Sequence, residues 1–155
     1  MLRQRNYPAA LKKISGIKSQ FALTTELYNL YYGMLLTRTK MPARALPYLK
    51  RAFELNNLSR DVNFELGMAY NHVGETTQAI LFYSNCIELD PSYAPAHHHL
   101  GLIYKSIDDL HKAEGYLKIA VKLGDNSRYK KDLIAVLKNS ILKMEMDIKD
   151  LEYLV

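Results

Sequence analysis

His97, His98 and His99 stand in a row, and imidazoles are the side chains from which a zinc, copper or nickel site would be built. On a helix, consecutive residues point about 100° apart, so three in a row spread around the axis and cannot face one ion. Ligands at i and i+4 could, but no obvious cysteine or carboxylate stands nearby in sequence to complete a set. The remaining chemistry-bearing candidates are the single cysteine, Cys86, and the acidic pair Asp108-Asp109. Cys86 occupies a place that alanine fills elsewhere in the chain, which predicts a small packing residue rather than a nucleophile. Asp108-Asp109 precedes an apolar run, as a helix cap does by accepting amide hydrogen bonds. No phosphate loop, Gly-x-Ser-x-Gly or His-Glu-x-x-His is present. The residues therefore predict no catalytic group, no metal and no cofactor: the chain is read as a non-enzyme.

The elements that would position these residues follow a fixed period. Leu66, Gly67 and Tyr70 recur 34 residues later as Leu100, Gly101 and Tyr104, and Ala79, Tyr83 and Cys86 recur as Ala113, Leu117 and Ala120. One period earlier stand Tyr32, Gly33, Leu36, Ala45, Leu49 and Ala52. Within each period the apolar residues recur three and four apart in two runs separated by breakers such as Gly74-Glu75-Thr76, so each unit is a helical hairpin. The spacing predicts helices over 25–38 and 42–55, 60–73 and 76–89, and 94–107 and 110–122. Pro91 disfavours helix at Asp90, while Pro95 falls in a first helical turn, where its missing amide proton is harmless. Pro47 falls deeper inside, so the helix at 42–55 is expected to start late or bend near Leu46. Small residues such as Gly67 and Ala79 let paired helices approach, and Tyr70 and Tyr83 fill the space beside them.

With Leu66, Gly67, Tyr70, Ala79, Tyr83 and Pro91 in place, unit 60–93 resembles the tetratricopeptide repeat, and units 94–127 and 26–59 resemble it with more departures. Asn63 and His97 stand where the family often has Trp, and Asp125 where it has Pro. The resemblance implies an all-α fold, an α-α superhelix or right-handed solenoid of three hairpins. The expected domain is single and covers 1–155: an N-terminal helix or half repeat in 1–25, three repeats in 26–127 and a long capping helix in 128–155. That last segment has neither Gly nor Pro, and at 1.5 Å per residue a helix of about 27 residues is roughly 40 Å long.

In relatives of this kind the first helix of each hairpin lines a concave surface, and the implied groove residues form a stripe with steps of three, four and three. They are Leu27, Leu30, Met34 and Thr37, then Asp61, Phe64, Met68 and Asn71, then Pro95, His98, Leu102 and Lys105. His97 is expected to face its own hairpin and His99 the flank. The stripe is largely apolar, and methionine conforms to varied apolar shapes. The predicted function is therefore a protein-binding scaffold or adaptor whose groove takes an amphipathic helix or apolar peptide segment of another protein. Some relatives hold a partner's C-terminal carboxylates with Lys, Asn and Arg. Here Leu30, Met34, Glu65, Pro95 and His99 stand at those positions, and Glu65 would repel an acidic tail.

The alternative is a self-associating module, or an accessory domain of a larger protein. Ile134, Leu137, Ile141, Met144, Ile148, Leu151 and Val155 alternate by three and four, a heptad seam. Its first half is expected to cap the last hairpin; Ile148, Leu151 and Val155 would serve homo-oligomer formation. Parallel pairing sets Asp147 against Glu152, so an antiparallel or heterologous partner is favoured.

Bulk composition fits this reading. The 155 residues, 48% apolar and 24% charged, suit an ordinary globular domain, and no run approaches the roughly 20 apolar residues of a membrane span. The net charge of +5 is uneven. In 60–93, Arg60 meets Asp61, Glu65, Glu75, Glu88 and Asp90, which breaks the basic stripe that nucleic-acid binding needs. The basic first 25 residues hold Ala9, Ala10, Leu11, Ile14 and Ile17 on one helical face, so a structural helix is expected there rather than a targeting peptide. The lone cysteine excludes an internal disulfide and fits a cytoplasmic location.

Overall fold

The computed structural model describes residues 6–16 and 24–152, whose regular secondary structure is all helical, with no strand among them. They belong to two compact units, Met1–Asp90 and Pro91–Val155. The first holds α1 (Tyr7–Ser15), α2 (Glu26–Arg38), α3 (Pro42–Leu55), α4 (Arg60–Val73) and α5 (Thr76–Leu89). The second holds α6 (Ala94–Ser106), α7 (Leu110–Leu123) and α8 (Ser127–Glu152). For the six hairpin helices the expected bounds match these to within a residue, and three of their starts carry a side-chain cap. The Thr25 hydroxyl accepts from the Tyr28 amide, the Ser59 hydroxyl from Val62, and the Asp109 carboxylate from Lys112 at 3.1 Å. That last bond, the amide of Lys112 foremost, holds the Asp109 carboxyl below its usual range.

Between the two helices of each hairpin the chain passes through the left-handed region at one residue: Lys40 (φ 63°), Gly74 (φ 88°) and Asp108 (φ 62°). These stand one 34-residue period apart, so one turn geometry is repeated three times with only Gly74 free of the Cβ penalty.

Large residues on one helix fill the space left by small ones on its partner. A Cβ added at Gly67 would lie 2.8 Å from the Tyr83 ring, and one at Gly101 would lie 2.6 Å from Leu117 Cγ. Ala45, Ala52, Ala79, Cys86, Ala113 and Ala120 are all fully buried on the second helices. Burial pushes the Cys86 thiol up to about 12, which leaves it protonated and inert at neutral pH. In the first unit, Tyr70 stacks on Phe82, which meets Phe53 edge-on; Tyr32 meets Tyr48 edge-on. In the second, Tyr104 and Tyr116 stack with centroids 5.5 Å apart.

One feature corrects the sequence reading. Helix α3 begins at Pro42 and runs through Pro47 to Leu55, so it does not start late. Pro47 and Ala43, the residue whose carbonyl loses its partner, both lie on the exposed side, where water satisfies that carbonyl. The position expected for Trp carries Asn63, which is fully buried because its amide donates to the carbonyls of Asn57 and Ser59 at 2.9 Å each. A polar plug thus replaces an apolar one at no hydrogen-bonding deficit.

In the second unit the first half of α8 covers the last hairpin through Val136, fully buried, and Leu133, which pack against Ala113 and Leu117, whereas Ile134 and Ile141, on the seam expected to form that cap, are more than half exposed. The amino group of Lys143 donates to Asp108 at 2.6 Å, tying α8 to the turn between α6 and α7.

Candidate protein-binding face

In the first unit the stripe runs along α2 and α4, the first helices of two successive hairpins. Leu27 is 61% exposed, Met34 and Met68 are half-buried, and Asp61 and Asn71 are exposed. Leu30 and Phe64 are buried: Leu30 belongs to the core and Phe64 lies against the Tyr83 ring, with centroids 5.7 Å apart. Thr37 is buried too, its hydroxyl donating to the Gly33 carbonyl. The surface on this unit is thus smaller than the sequence stripe, with Leu27, Met34 and Met68 as its apolar points.

Between the two methionines lies a feature the sequence did not disclose. Arg38 donates from Nη1 to Glu65 Oε2 at 2.5 Å and from Nη2 to Oε1 at 2.7 Å, a bidentate pair joining α2 to α4. Met34 stands one turn before Arg38 and Met68 one turn after Glu65, so helical spacing sets both thioethers beside the pair. Glu65 is only 8% exposed and Arg38 23%. Burial opposes the guanidinium charge, but the hydrogen bonds and charge of Glu65 outweigh it and hold Arg38 above the ordinary arginine value. Glu65 therefore presents a compensated charge, which corrects the expectation that it repels an acidic tail. The partners are 27 residues apart and belong to different repeats, so no spacing rule within one repeat links them.

Removing Glu65 leaves Arg38 partly desolvated without its carboxylate partner, with the Met34 carbonyl at 3.5 Å as a weaker acceptor. Glu65→Ala is expected to cost about 2 kcal/mol, and a double-mutant cycle with Arg38→Ala should return a coupling of about 1–2 kcal/mol, the partial exposure of Arg38 keeping it below a fully buried pair. Urea denaturation of the four variants measures it; a coupling near zero would mean that the pair only decorates the surface.

In the second unit the histidines divide by function. His97 Nε2 lies 2.9 Å from the Pro91 carbonyl, which can only accept, so this nitrogen carries the proton. His98, expected in the groove, is buried: its Nε2 lies 2.8 Å from Asp132 Oδ2 of α8, and its ring lies 4.4 Å from that of Tyr129. It is engaged internally and offers no free surface. His99 is half-buried, as are Leu102 and Lys105, which remain on the stripe of α6. Among the described residues no three metal-ligating side chains converge. On α8, Ile148 is exposed, while the side chain of Leu151 and all of Val155 lie outside the described residues. No described helix is long and apolar enough to cross a membrane.

Comparison with known proteins gives the same architecture. The profile of the family described as tetratricopeptide repeat matches residues 61–93 and 94–128. Uncharacterized protein ycf37 of Pyropia yezoensis is 32% identical over 99 residues, which cover 59% of this chain and 56% of that protein. Among solved structures, YrrB, described as a tetratricopeptide-repeat protein with an unusual peptide-binding site, superposes with a TM-score of 0.69 at 25% identity over 83% of this chain and 65% of its own. MamA superposes with a TM-score of 0.76 at 21% identity, over 90% of this chain and 76% of its own, a likeness of fold. The chain thus spans little more than half the length of the curated relative it matches.

Proposed function

We propose that this chain, a tetratricopeptide-repeat protein, is a non-catalytic scaffold that binds an amphipathic helix or apolar peptide segment of another protein on the α2–α4 face of its first unit. The observation that carries this reading is the set of apolar side chains the core does not use. Leu27 is largely exposed, and Met34 and Met68 flank the Arg38–Glu65 pair, although Leu30, Leu36, Val62 and Leu66 already close the core beneath them. Two adaptable methionines beside a charge pair, with Leu27 at the far end of α2, suit a ligand that buries hydrophobic side chains and offers backbone or polar groups near the pair. YrrB, at 25% identity, is described as binding peptide, which supports reading a peptide ligand here. Leu102 and Lys105 on α6 supply a separate stretch of the same kind of surface.

The test is a Leu27→Asp, Met68→Asp double variant. Leu27 is largely exposed and Met68 half-buried, so circular dichroism and a thermal melt check that the fold is retained, and capture of the co-purifying partner should fall about tenfold or more, as for loss of central apolar anchors. Full capture by a variant that melts like wild type would rule this face out.

A further inference from the structure

We infer that the outer face of α8 is a self-association surface that pairs with α8 of a second copy of this chain in antiparallel register. Ile134, Ile141, Met144 and Ile148 lie along one side of this helix with Leu137 between them, and the first four are each more than half exposed. No charge interrupts the row, which is three- and four-spaced over two heptads. It is continuous with Leu110 on α7, which shares a shallow cleft with Met144 and Ser140.

Two observations identify the occupant. Ile134 stands one period after Leu100, which is 1% exposed because α7 covers it, whereas Ile134 is 52% exposed and no described helix covers it. The second helix of a hairpin runs antiparallel to the first, so a helix taking the equivalent place on α8 would run antiparallel to it. The flanking charges then select a second copy. Setting Ile141 of one helix opposite Met144 of the other fixes the register and sets Ile148 opposite Leu137. The two-fold axis brings Lys138 beside Glu145 of the second copy, and Glu145 beside its Lys138, two identical ion pairs from one sequence. Lys138 and Glu145 are both exposed. A parallel pair would instead set Asp147 against Glu152 across the seam.

The contact is small, two heptads from each copy, which places it in the weak class below about 1,200 Å² and makes the dimer a concentration-dependent equilibrium. Light scattering and sedimentation of the full chain should show mass rising from one copy towards two as concentration is raised to about 200 µM, the range in which weak interfaces populate. Lys138→Glu or Glu145→Lys alone makes both symmetric contacts repulsive and should weaken association about tenfold, while the double exchange restores it. Circular dichroism checks that helicity is retained in all three. A strictly monomeric chain over that range overturns the inference. So does a dimer unmoved by the single reversals, or one that the double exchange fails to restore, because either would place the contact elsewhere.

Discussion

Tyr83→Ala is expected to destabilise the first unit by about 3–5 kcal/mol, the range for truncating a large aromatic inside a core. The side chain is fully buried, lies flat over Gly67 and touches the Phe64 ring, so its removal leaves a void bounded by rigid backbone on one side. The void is lined by the backbone of Gly67 on α4, which has no side chain to fill it. A Tyr83→Phe control keeps the ring and should stay within about 1 kcal/mol of wild type. Urea unfolding followed at 222 nm separates the two; equal midpoints for Tyr83→Ala and wild type would refute the packing account. Since Phe64 rests on the same ring, Tyr83→Ala should also disturb the α4 face on which Met68 sits.

A second large effect concerns a group absent from the chain. Adding one methyl group by Gly101→Ala sets a Cβ 2.6 Å from Leu117 Cγ and 3.2 Å from the Ala113 carbonyl, and neither is the free end of a flexible side chain. The helices must separate, at a cost of about 1–3 kcal/mol, partly offset by roughly 1 kcal/mol of better helix propensity. The same exchange at Gly115, exposed in α7 with nothing within 4 Å of the added Cβ, is expected to stabilise by about 1 kcal/mol. The opposite signs are the test. Thermal melts that move the same way for both variants would mean that helix propensity, rather than close approach, sets these glycines.

The helices were legible because their punctuation is local. Ser59, Asp109, Pro42 and Pro95 each act within one turn of themselves, and the 34-residue offset carried the reading from unit 60–93 to its neighbours. Burial was less legible. Leu30 and Phe64 have the right helical phase for a surface stripe, but neighbouring side chains cover them, and phase alone does not distinguish the rim of a face from its floor. The pair Arg38–Glu65 was hidden because charge pairing between repeats depends on how the helices stack. His98–Asp132 was readable in principle, since its partners stand 34 residues apart. The period therefore extends into α8 by at least one turn, past the point where the sequence reading had ended it.

The turn geometry shared by Lys40, Gly74 and Asp108 bears on how this sequence would be improved. Copying the turn of the middle repeat into the other two would place glycine at all three positions and gain about 1 kcal/mol for each left-handed side chain relieved. At position 40 the exchange would remove only an exposed lysine side chain in an open turn. At position 108 the same exchange would cut the carboxylate link to Lys143, so the backbone strain there is coupled to the anchoring of the terminal helix. Redesign should treat the first turn as a fault to repair and the third as a joint to leave alone.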